Sequence, residues 1–184
     1  MIGAAMVCAM VASCTENLSG DLDAPGIDPQ GQGQDPLVVG NRLLRAGEYD
    51  LALDSFARAA LNQGMTAEIM AAMGTANLGL RQLKPAETLL RRAVSEEPDW
   101  PVAWNNLGVI LMEKGEYPEA AQVFRRAFAL DNGESDAIRD NLRLALAKME
   151  NSDNTDVEEQ EYTLEQQGDG QFKLRKLQEN RQEQ

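Results

Sequence analysis

The sequence predicts an all-α protein in which helical hairpins stack into a solenoid between two disordered flanks. Ala and Leu dominate the apolar residues, while aromatic residues make up only 5% of the chain. This composition favours helices, because Ala and Leu have high helix propensities. Residues 35–150 repeat their small and large apolar residues with a period of 34, a length typical of helix–turn–helix repeats. The flanks have too few large apolar residues to offset the entropy lost on folding.

Residues 1–13 are predicted to be a signal segment. Met1–Val11 carry no charged side chain, and this stretch suits a signal core but is shorter than the roughly 20 residues that span a bilayer. It leads into VASC at 11–14, which resembles the lipobox of bacterial lipoproteins: an aliphatic residue, two small residues and a cysteine. The resemblance implies that Cys14 is lipidated, and Thr15 after it implies the outer membrane of a Gram-negative cell.

Other interpretations of this cysteine stay open. Cys8 is the only other cysteine, so the two could form a disulfide, and the segment could instead be a different cleaved signal or an uncleaved short helix. Residues 14–34 are predicted to be a flexible, lipid-anchored linker, since 15–34 contain four Gly, two Pro, four acids and no base. Twenty flexible residues reach about 25 Å on average, so this linker would hold the next domain near the membrane.

Five positions recur three times at the 34-residue spacing. Three are small and two are large and apolar: Gly40, Gly74 and Gly108; Ala52, Ala86 and Ala120; Ala59, Ala93 and Ala127; Phe56, Leu90 and Phe124; Tyr49, Leu83 and Tyr117. The predicted repeats are 33–66, 67–100 and 101–134. We expect the small residues where the two helices of a hairpin approach closely, and the large residues in the seam between them. One hairpin cannot bury its apolar face alone, so neighbouring repeats share a core.

This pattern resembles the tetratricopeptide repeat (TPR) family. The clearest match is WNNLG at 104–108, followed by Gly115, Tyr117, Ala120, Phe124 and Ala127. The resemblance implies a right-handed solenoid of three hairpins, each made of a helix A and a helix B. Residues 134–149 carry a single apolar stripe at helical spacing; its members are Ile138, Leu142, Ala145 and Leu146. This stripe predicts a C-terminal capping helix, which completes a TPR domain at 35–150.

Residues 151–184 are predicted to be an acidic, mostly disordered tail, with nine acids and four bases. One stretch of it is ambiguous, because Tyr162 and Leu164 precede Asp169–Gly170 while Phe172 and Leu174 follow it. Such alternation around a turn indicates a β-hairpin. A lone two-stranded hairpin is marginal in water, so this stretch is expected to be disordered or to order on a partner.

The TPR resemblance also implies a binding groove lined by the A helices. The predicted groove residues are Leu37, Asn41, Leu44, Ala71, Thr75, Leu78, Val102, Asn105, Val109 and Met112. Of these, Leu37, Leu44 and Leu78 are equally compatible with a place in the core. TPR proteins that grip a C-terminal carboxylate use Lys, Arg and Asn here, and only Asn41 fits that pattern. The groove is semi-apolar with Asn side chains, so it suits a helix or an extended segment of a partner.

A charged periodicity accompanies the apolar one. Arg58, Arg92 and Arg126 are 34 residues apart, so stacked B helices would align them as a basic ridge on the outer face. A solvated helix face is the simpler interpretation. The alternative is a docking surface for an anionic partner, lipid head groups or the acidic flanks of the chain.

Composition argues against catalysis and against nucleic-acid binding. The chain contains no histidine, which removes the usual general base and the commonest metal ligand. The carboxylate pairs Glu96–Glu97 and Glu158–Glu159 are interpreted as solvated surface, since adjacent residues on a helix do not face each other. A net charge of −13 opposes binding to phosphate backbones. We therefore predict no catalytic residue, metal site, cofactor or small-molecule substrate.

The expected function is that of a non-catalytic scaffold for protein–protein interaction. The combination of lipobox, linker and short TPR domain resembles the TPR lipoproteins of Tad (Flp) pilus assembly. That resemblance implies a lipid-anchored protein on the periplasmic face of the outer membrane, with a secretin or another pilus assembly component as its partner. The alternative is a TPR chaperone that binds a secreted or pilus subunit without a membrane anchor.

Overall fold

The computed structural model describes residues 33–151, 162–168 and 170–177. Cys14, the predicted signal segment and nearly all of the predicted linker lie outside the described residues. The elements are α1 (Pro36–Arg45), α2 (Tyr49–Gln63), α3 (Ala67–Gly79), α4 (Leu83–Glu96), α5 (Pro101–Glu113), α6 (Tyr117–Leu130), α7 (Asp136–Asn151), β1 (Tyr162–Gln166) and β2 (Phe172–Lys176). No helix in these ranges has both the length and the apolar character needed to cross a membrane.

Helices α1 to α6 form three successive hairpins, and α7 packs against the last of them. Each hairpin lies within one of the 34-residue ranges inferred from the sequence, and α7 covers most of the cap expected at 134–149. The fold class predicted from the repeat pattern is therefore confirmed.

Local sequence explains where several helices begin. Asp35 caps α1 by accepting a hydrogen bond from the Leu37 N–H at 2.9 Å, and Pro36 occupies the first turn, where a missing N–H costs nothing. Thr66 caps α3 through a bond from Ile69 N–H. Ser135 caps α7 in the same way, by accepting from Ile138 N–H at 3.3 Å. Such side-chain caps satisfy amides that have no partner within the helix.

The turns between helices A and B share one left-handed residue. Gly47 and Gly115 both have φ of +78°, and the equivalent position in the second repeat is Arg81 with φ of +61°. Glycine adopts this conformation without steric cost, whereas a residue with a side chain does so less readily. The Arg81 side chain forms a 2.8 Å ion pair with Glu113 on α5.

The repeated small and large residues meet across each hairpin. A Cβ placed on Gly108 would lie 2.6 Å from the Phe124 ring, and one on Gly74 would lie 2.7 Å from Leu90. Gly40 faces the ring of Phe56 in the same arrangement. Phe56, Leu90 and Phe124 are fully buried, as the sequence pattern indicated. The glycines therefore allow helix B to contact helix A without an intervening side chain.

The C-terminal residues form an antiparallel β-hairpin. Tyr162 pairs with Lys176, Leu164 with Leu174 and Gln166 with Phe172. The turn between the strands is closed by a 2.8 Å bond from Gln167 N–H to the Gln171 carbonyl, and Gly170 has φ of +83°. Part of the tail that was expected to be mostly disordered is therefore ordered. The reason lies in its contacts, because the hairpin does not stand alone but packs against α5 and α7.

Candidate strand-binding site on the A-helix face

The β-hairpin lies against one face of the stack of helices. Helices α1, α3, α5 and α7 form this face, here called the A-helix face. Strand β2 is held through its main chain by three asparagines, Asn105 and Asn106 of α5 and Asn141 of α7. All three are 0% exposed, which is unusual for amide side chains unless they are hydrogen-bonded. We call these residues the asparagine cluster.

Five hydrogen bonds join this cluster to the main chain around β2. Phe172 N–H donates to Asn106 Oδ1 and Leu174 N–H to Asn141 Oδ1, both at 2.9 Å. The Phe172 carbonyl accepts from Asn105 Nδ2 at 2.9 Å and from Asn141 Nδ2 at 2.8 Å. Asn106 Nδ2 donates to the Gly170 carbonyl at 3.0 Å. The side-chain amides thus bond β2 as a neighbouring strand would.

Hydrogen bonds within the cluster hold the amides in position. Asn141 Nδ2 donates to Asn105 Oδ1 at 3.0 Å, and Asn105 Nδ2 lies 3.3 Å from Asn106 Oδ1. Asn106 Nδ2 also donates to Thr75 Oγ1 on α3, whose hydroxyl donates to the Ala71 carbonyl at 2.8 Å. Three helices therefore contribute to one buried polar network, and such a network fixes side-chain orientations when every member is satisfied.

Two apolar side chains anchor β2 beside this network. Phe172 is 2% exposed and Leu174 is 6% exposed, and both belong to the core cluster formed by α3 to α7. The Phe172 ring is tilted against the Tyr49 ring with centroids 6.4 Å apart. Between the two anchors, Lys173 Nζ forms a 2.6 Å ion pair with Asp140 on α7. Strand β2 therefore places an aromatic and an aliphatic residue in the core and a basic residue on Asp140.

Strand β1 and the turn add contacts at the two ends of the face. Gln166 Oε1 accepts from the Tyr49 hydroxyl at 2.9 Å, while Gln166 Nε2 donates to the Leu44 carbonyl at 2.9 Å. Burial raises the pKa of the Tyr49 phenol, so this hydroxyl stays a donor at neutral pH. Ser135 Oγ donates to Gln171 Oε1 at 2.9 Å. The β-hairpin is thereby tied to the first helical hairpin and to the start of the capping helix α7.

An open cleft of about 210 Å³ lies beside the hairpin turn on the same face. Its lining includes Asn41, Leu44, Ala71, Thr75, Val102 and Gly170. Two charged residues of opposite sign, Arg45 and Glu68, also line it, and both are exposed. The cleft is therefore close to neutral and partly apolar.

The structure separates the groove residues predicted from the sequence into three groups. Asn41, Leu44, Ala71, Thr75 and Val102 line the open cleft, and Asn105 holds the hairpin. The other four do not line the open cleft. Leu37 packs against the core of the first repeat, and Leu78, Val109 and Met112 are 0%, 0% and 7% exposed within the larger core cluster. Leu78, Val109 and Met112 therefore pack between neighbouring elements, whereas Leu37 stays partly exposed away from the cleft.

Sequence reasoning missed Asn106, Asn141 and Gln166. Asn106 belongs to the WNNLG motif, and Asn141 lies among the apolar residues of the capping helix. A usable signal was present: Asn141 interrupts the cap close to its apolar stripe, and the tail carries an alternating strand pattern. Together these features could have suggested that the tail pairs with the repeats.

The three arginines of the predicted ridge lie on α2, α4 and α6 and are exposed. Arg126 Nη2 forms a 3.3 Å ion pair with Asp99, and Arg58 Nε donates to the Asp54 carbonyl of its own helix. Over the described ranges, no group of His, Cys, Asp and Glu side chains is arranged to hold a metal ion.

Three stacked helical hairpins with close glycine contacts and a closing helix have the architecture of a TPR solenoid. Residues 71–135 match a family model described as tetratricopeptide repeat. A comparison with curated proteins found no match.

Solved structures of TPR domains share the fold. The Sgt2 TPR domain from Aspergillus fumigatus has a TM-score of 0.60 at 21% identity, covering 67% of this chain and 87% of that one. The second TPR domain of human RPAP3, in complex with the HSP70 peptide SGPTIEEVD, has a TM-score of 0.55 at 21% identity, covering 61% and 92%. The TPR2B domain of yeast Sti1, in a complex with pHsp70, has a TM-score of 0.57 at 16% identity, covering 61% and 94%.

Proposed function

We propose that this protein is a non-catalytic scaffold that binds an extended segment of another protein on its A-helix face. One observation carries the proposal: Asn105, Asn106 and Asn141 bond the main chain of an extended strand while two side chains of that strand enter the core. A face that holds its own chain in this way has the chemistry to hold a partner's chain.

The structural neighbours support a peptide ligand, but the charge of the cleft favours a different sequence. The human RPAP3 and yeast Sti1 domains were solved with chaperone segments, one of them the acidic peptide SGPTIEEVD. Here the cleft pairs one base, Arg45, with one acid, Glu68. A strongly acidic peptide gains little there, since attraction by one charge is offset by repulsion from the other. A neutral extended segment therefore suits this cleft better.

Photo-crosslinking in cells tests the binding face. A benzophenone amino acid in place of Arg45, which lines the cleft, should capture a protein partner, which mass spectrometry then identifies. The matched control places the same group at Leu61, which is on α2 and is 86% exposed. Capture of the same protein with equal yield at both positions, or at Leu61 alone, would contradict binding at the A-helix face.

We further propose a location for the protein and a pathway in which it acts. The VASC motif supports lipidation of Cys14, anchoring on the periplasmic face of the outer membrane, and assistance to a pilus or secretion machine through a secretin or another assembly component. Metabolic labelling with a fatty-acid probe should mark the wild-type protein and not Cys14→Ser. An unlabelled wild-type protein would reject the anchor and leave the unanchored chaperone role. A crosslinked partner from outside the envelope machinery would reject the pathway.

A further inference from the structure

We infer that the hairpin Tyr162–Lys176 is a displaceable internal ligand, and that a partner replaces it with an extended segment carrying an aromatic, a basic and an aliphatic residue in succession. The inference rests on the proposed function and specifies the ligand of that site. The asparagine cluster is then a strand-binding site that the chain's own C-terminal hairpin covers.

The main-chain contacts can be transferred from one strand to another. The five bonds from the asparagine cluster end on the amides of Phe172 and Leu174 and the carbonyls of Gly170 and Phe172. Every extended segment offers the same groups at the same spacing, because side chains alternate and main-chain groups repeat every two residues. Four of these bonds end on Phe172 and Leu174 within β2, and the fifth ends on Gly170, which lies in the turn with φ of +83°. A partner strand in this register could therefore form the four strand bonds once β2 has left.

The side chains of β2 indicate which segment fits best. Phe172 and Leu174 are two residues apart and both enter the core, so the site selects apolar residues at positions i and i+2. Lys173 lies between them and pairs with Asp140 at 2.6 Å, which favours a basic residue at i+1. Arg175 and Lys176 are exposed and contribute little to the choice. The preferred pattern is thus aromatic, basic, aliphatic.

Two features make the hairpin displaceable. Only Phe172 and Leu174 of its two strands are apolar and buried. A lone two-stranded hairpin is marginally stable, so it loses its own pairing once it leaves the face. Residues 152–161 join it to α7, so the hairpin competes with a partner from within the same chain. If the hairpin covers the site 90% of the time, it weakens a partner's apparent affinity roughly tenfold.

A peptide in trans tests the inference on the full-length chain. The probe is a fluorescent peptide GQFKLRK, which copies residues 170–176, and the control peptide GQAKARK lacks both anchors. The release variant Phe172→Ala/Leu174→Ala should bind GQFKLRK at least tenfold more tightly than the wild-type chain does. The control peptide should bind at least tenfold more weakly, and adding Asn141→Leu to the release variant should abolish binding of GQFKLRK. Far-UV circular dichroism should show the helices unchanged.

A second release variant provides the same test if Phe172→Ala/Leu174→Ala does not fold. Lys173→Glu opposes Asp140 without removing an apolar anchor, and it should also expose the site. Lys176→Glu makes the same charge change at the exposed end of β2 and should behave as wild type. Equal peptide affinity for wild type and both release variants, or no binding to the release variants at millimolar peptide, would overturn the inference.

Two further outcomes separate this inference from the proposed function. A wild-type dimer that the release variants dissolve would place the hairpin on a second copy and overturn an internal ligand. If Arg45 still crosslinks a partner while GQFKLRK binds no variant, the inference fails and the scaffold function stands. If the peptide behaves as expected and no partner is captured at the cleft, the proposed function fails instead.

Discussion

At the residue scale, asparagine suits the A-helix face because its side-chain amide both donates and accepts, as a peptide group does. Asn141 accepts from the Leu174 amide and donates to the Phe172 carbonyl, which is the pair of bonds that an adjacent strand would supply. A side chain at 141 that could only donate would leave the buried Leu174 N–H unpaired, at a cost of about 1–3 kcal/mol. The Phe172 carbonyl also accepts from Asn105.

Gly108 lies where helix A contacts helix B, and we expect its replacement by alanine to lower the stability of the protein. In Gly108→Ala, the new Cβ would lie 2.6 Å from Phe124, which is fully buried and cannot move aside freely. Alanine favours the helix by up to about 1 kcal/mol, but overpacking a core costs about 1–3 kcal/mol. We expect a net loss of stability in urea unfolding. Gly33→Ala has no neighbour within 4 Å and should change stability little. A Gly108→Ala protein as stable as wild type would contradict this account of the hairpin contact.

The sequence could predict these glycines but only one of the three asparagines. Gly40, Gly74 and Gly108 recur at a fixed spacing, and their role follows from that repetition. Asn105 lies at a helix A position that TPR proteins use for ligands. Asn106 and Asn141 have no counterpart in such a pattern, because their role depends on a strand that lies 64 or more residues away for Asn106 and 31 or more for Asn141.

At the element scale, one carboxylate links neighbouring repeats. Glu87 on α4 accepts from Arg91 of its own helix at 2.8 Å and from Lys114, which follows α5, at 2.9 Å. Burial by itself would raise the pKa of Glu87, but the hydrogen bonds from Lys114 and Arg91 outweigh it and lower the pKa below the ordinary value of 4.5. The ionised form is therefore favoured by folding.

This shift predicts how stability depends on pH. A carboxyl whose pKa is lower in the folded chain stabilises it above the unfolded pKa, and the contribution is lost as pH falls through the folded pKa. Glu87→Gln should thus be less stable than wild type at pH 7, and the difference should close below about pH 4.5. Thermal unfolding across this range measures it, with the exposed Glu96→Gln on the same helix as the control. A difference that persists unchanged at pH 3 would contradict the assignment.

The sequence indicated the β-hairpin but led us to underestimate its stability in the folded protein. The alternation of Tyr162, Leu164, Phe172 and Leu174 around a glycine turn indicated two strands. Considered alone, two strands are marginal, and that principle argued for disorder. The deciding contribution is tertiary, since the asparagine cluster satisfies the outer edge of β2 and the repeat core receives Phe172 and Leu174.

At the scale of the whole molecule, the A-helix face divides into a covered part and an open part. The covered part holds β2 on the asparagine cluster, and the open cleft begins at Gly170 beside the turn. A partner could therefore first contact the cleft through residues such as Arg45 and Val102 and then compete with β2 for the adjoining cluster. This arrangement connects the proposed scaffold function to the internal ligand within one continuous surface.

The most direct measurement is hydrogen exchange at the amides of Phe172 and Leu174 in the full-length chain, followed by NMR. These two amides donate to Asn106 and Asn141, so in the free protein they should exchange much more slowly than in an unstructured peptide. Saturating GQFKLRK should remove that protection while the amides of α5 stay protected. Exchange at the rate of an unstructured peptide in the free protein would contradict the claim that the A-helix face binds a strand.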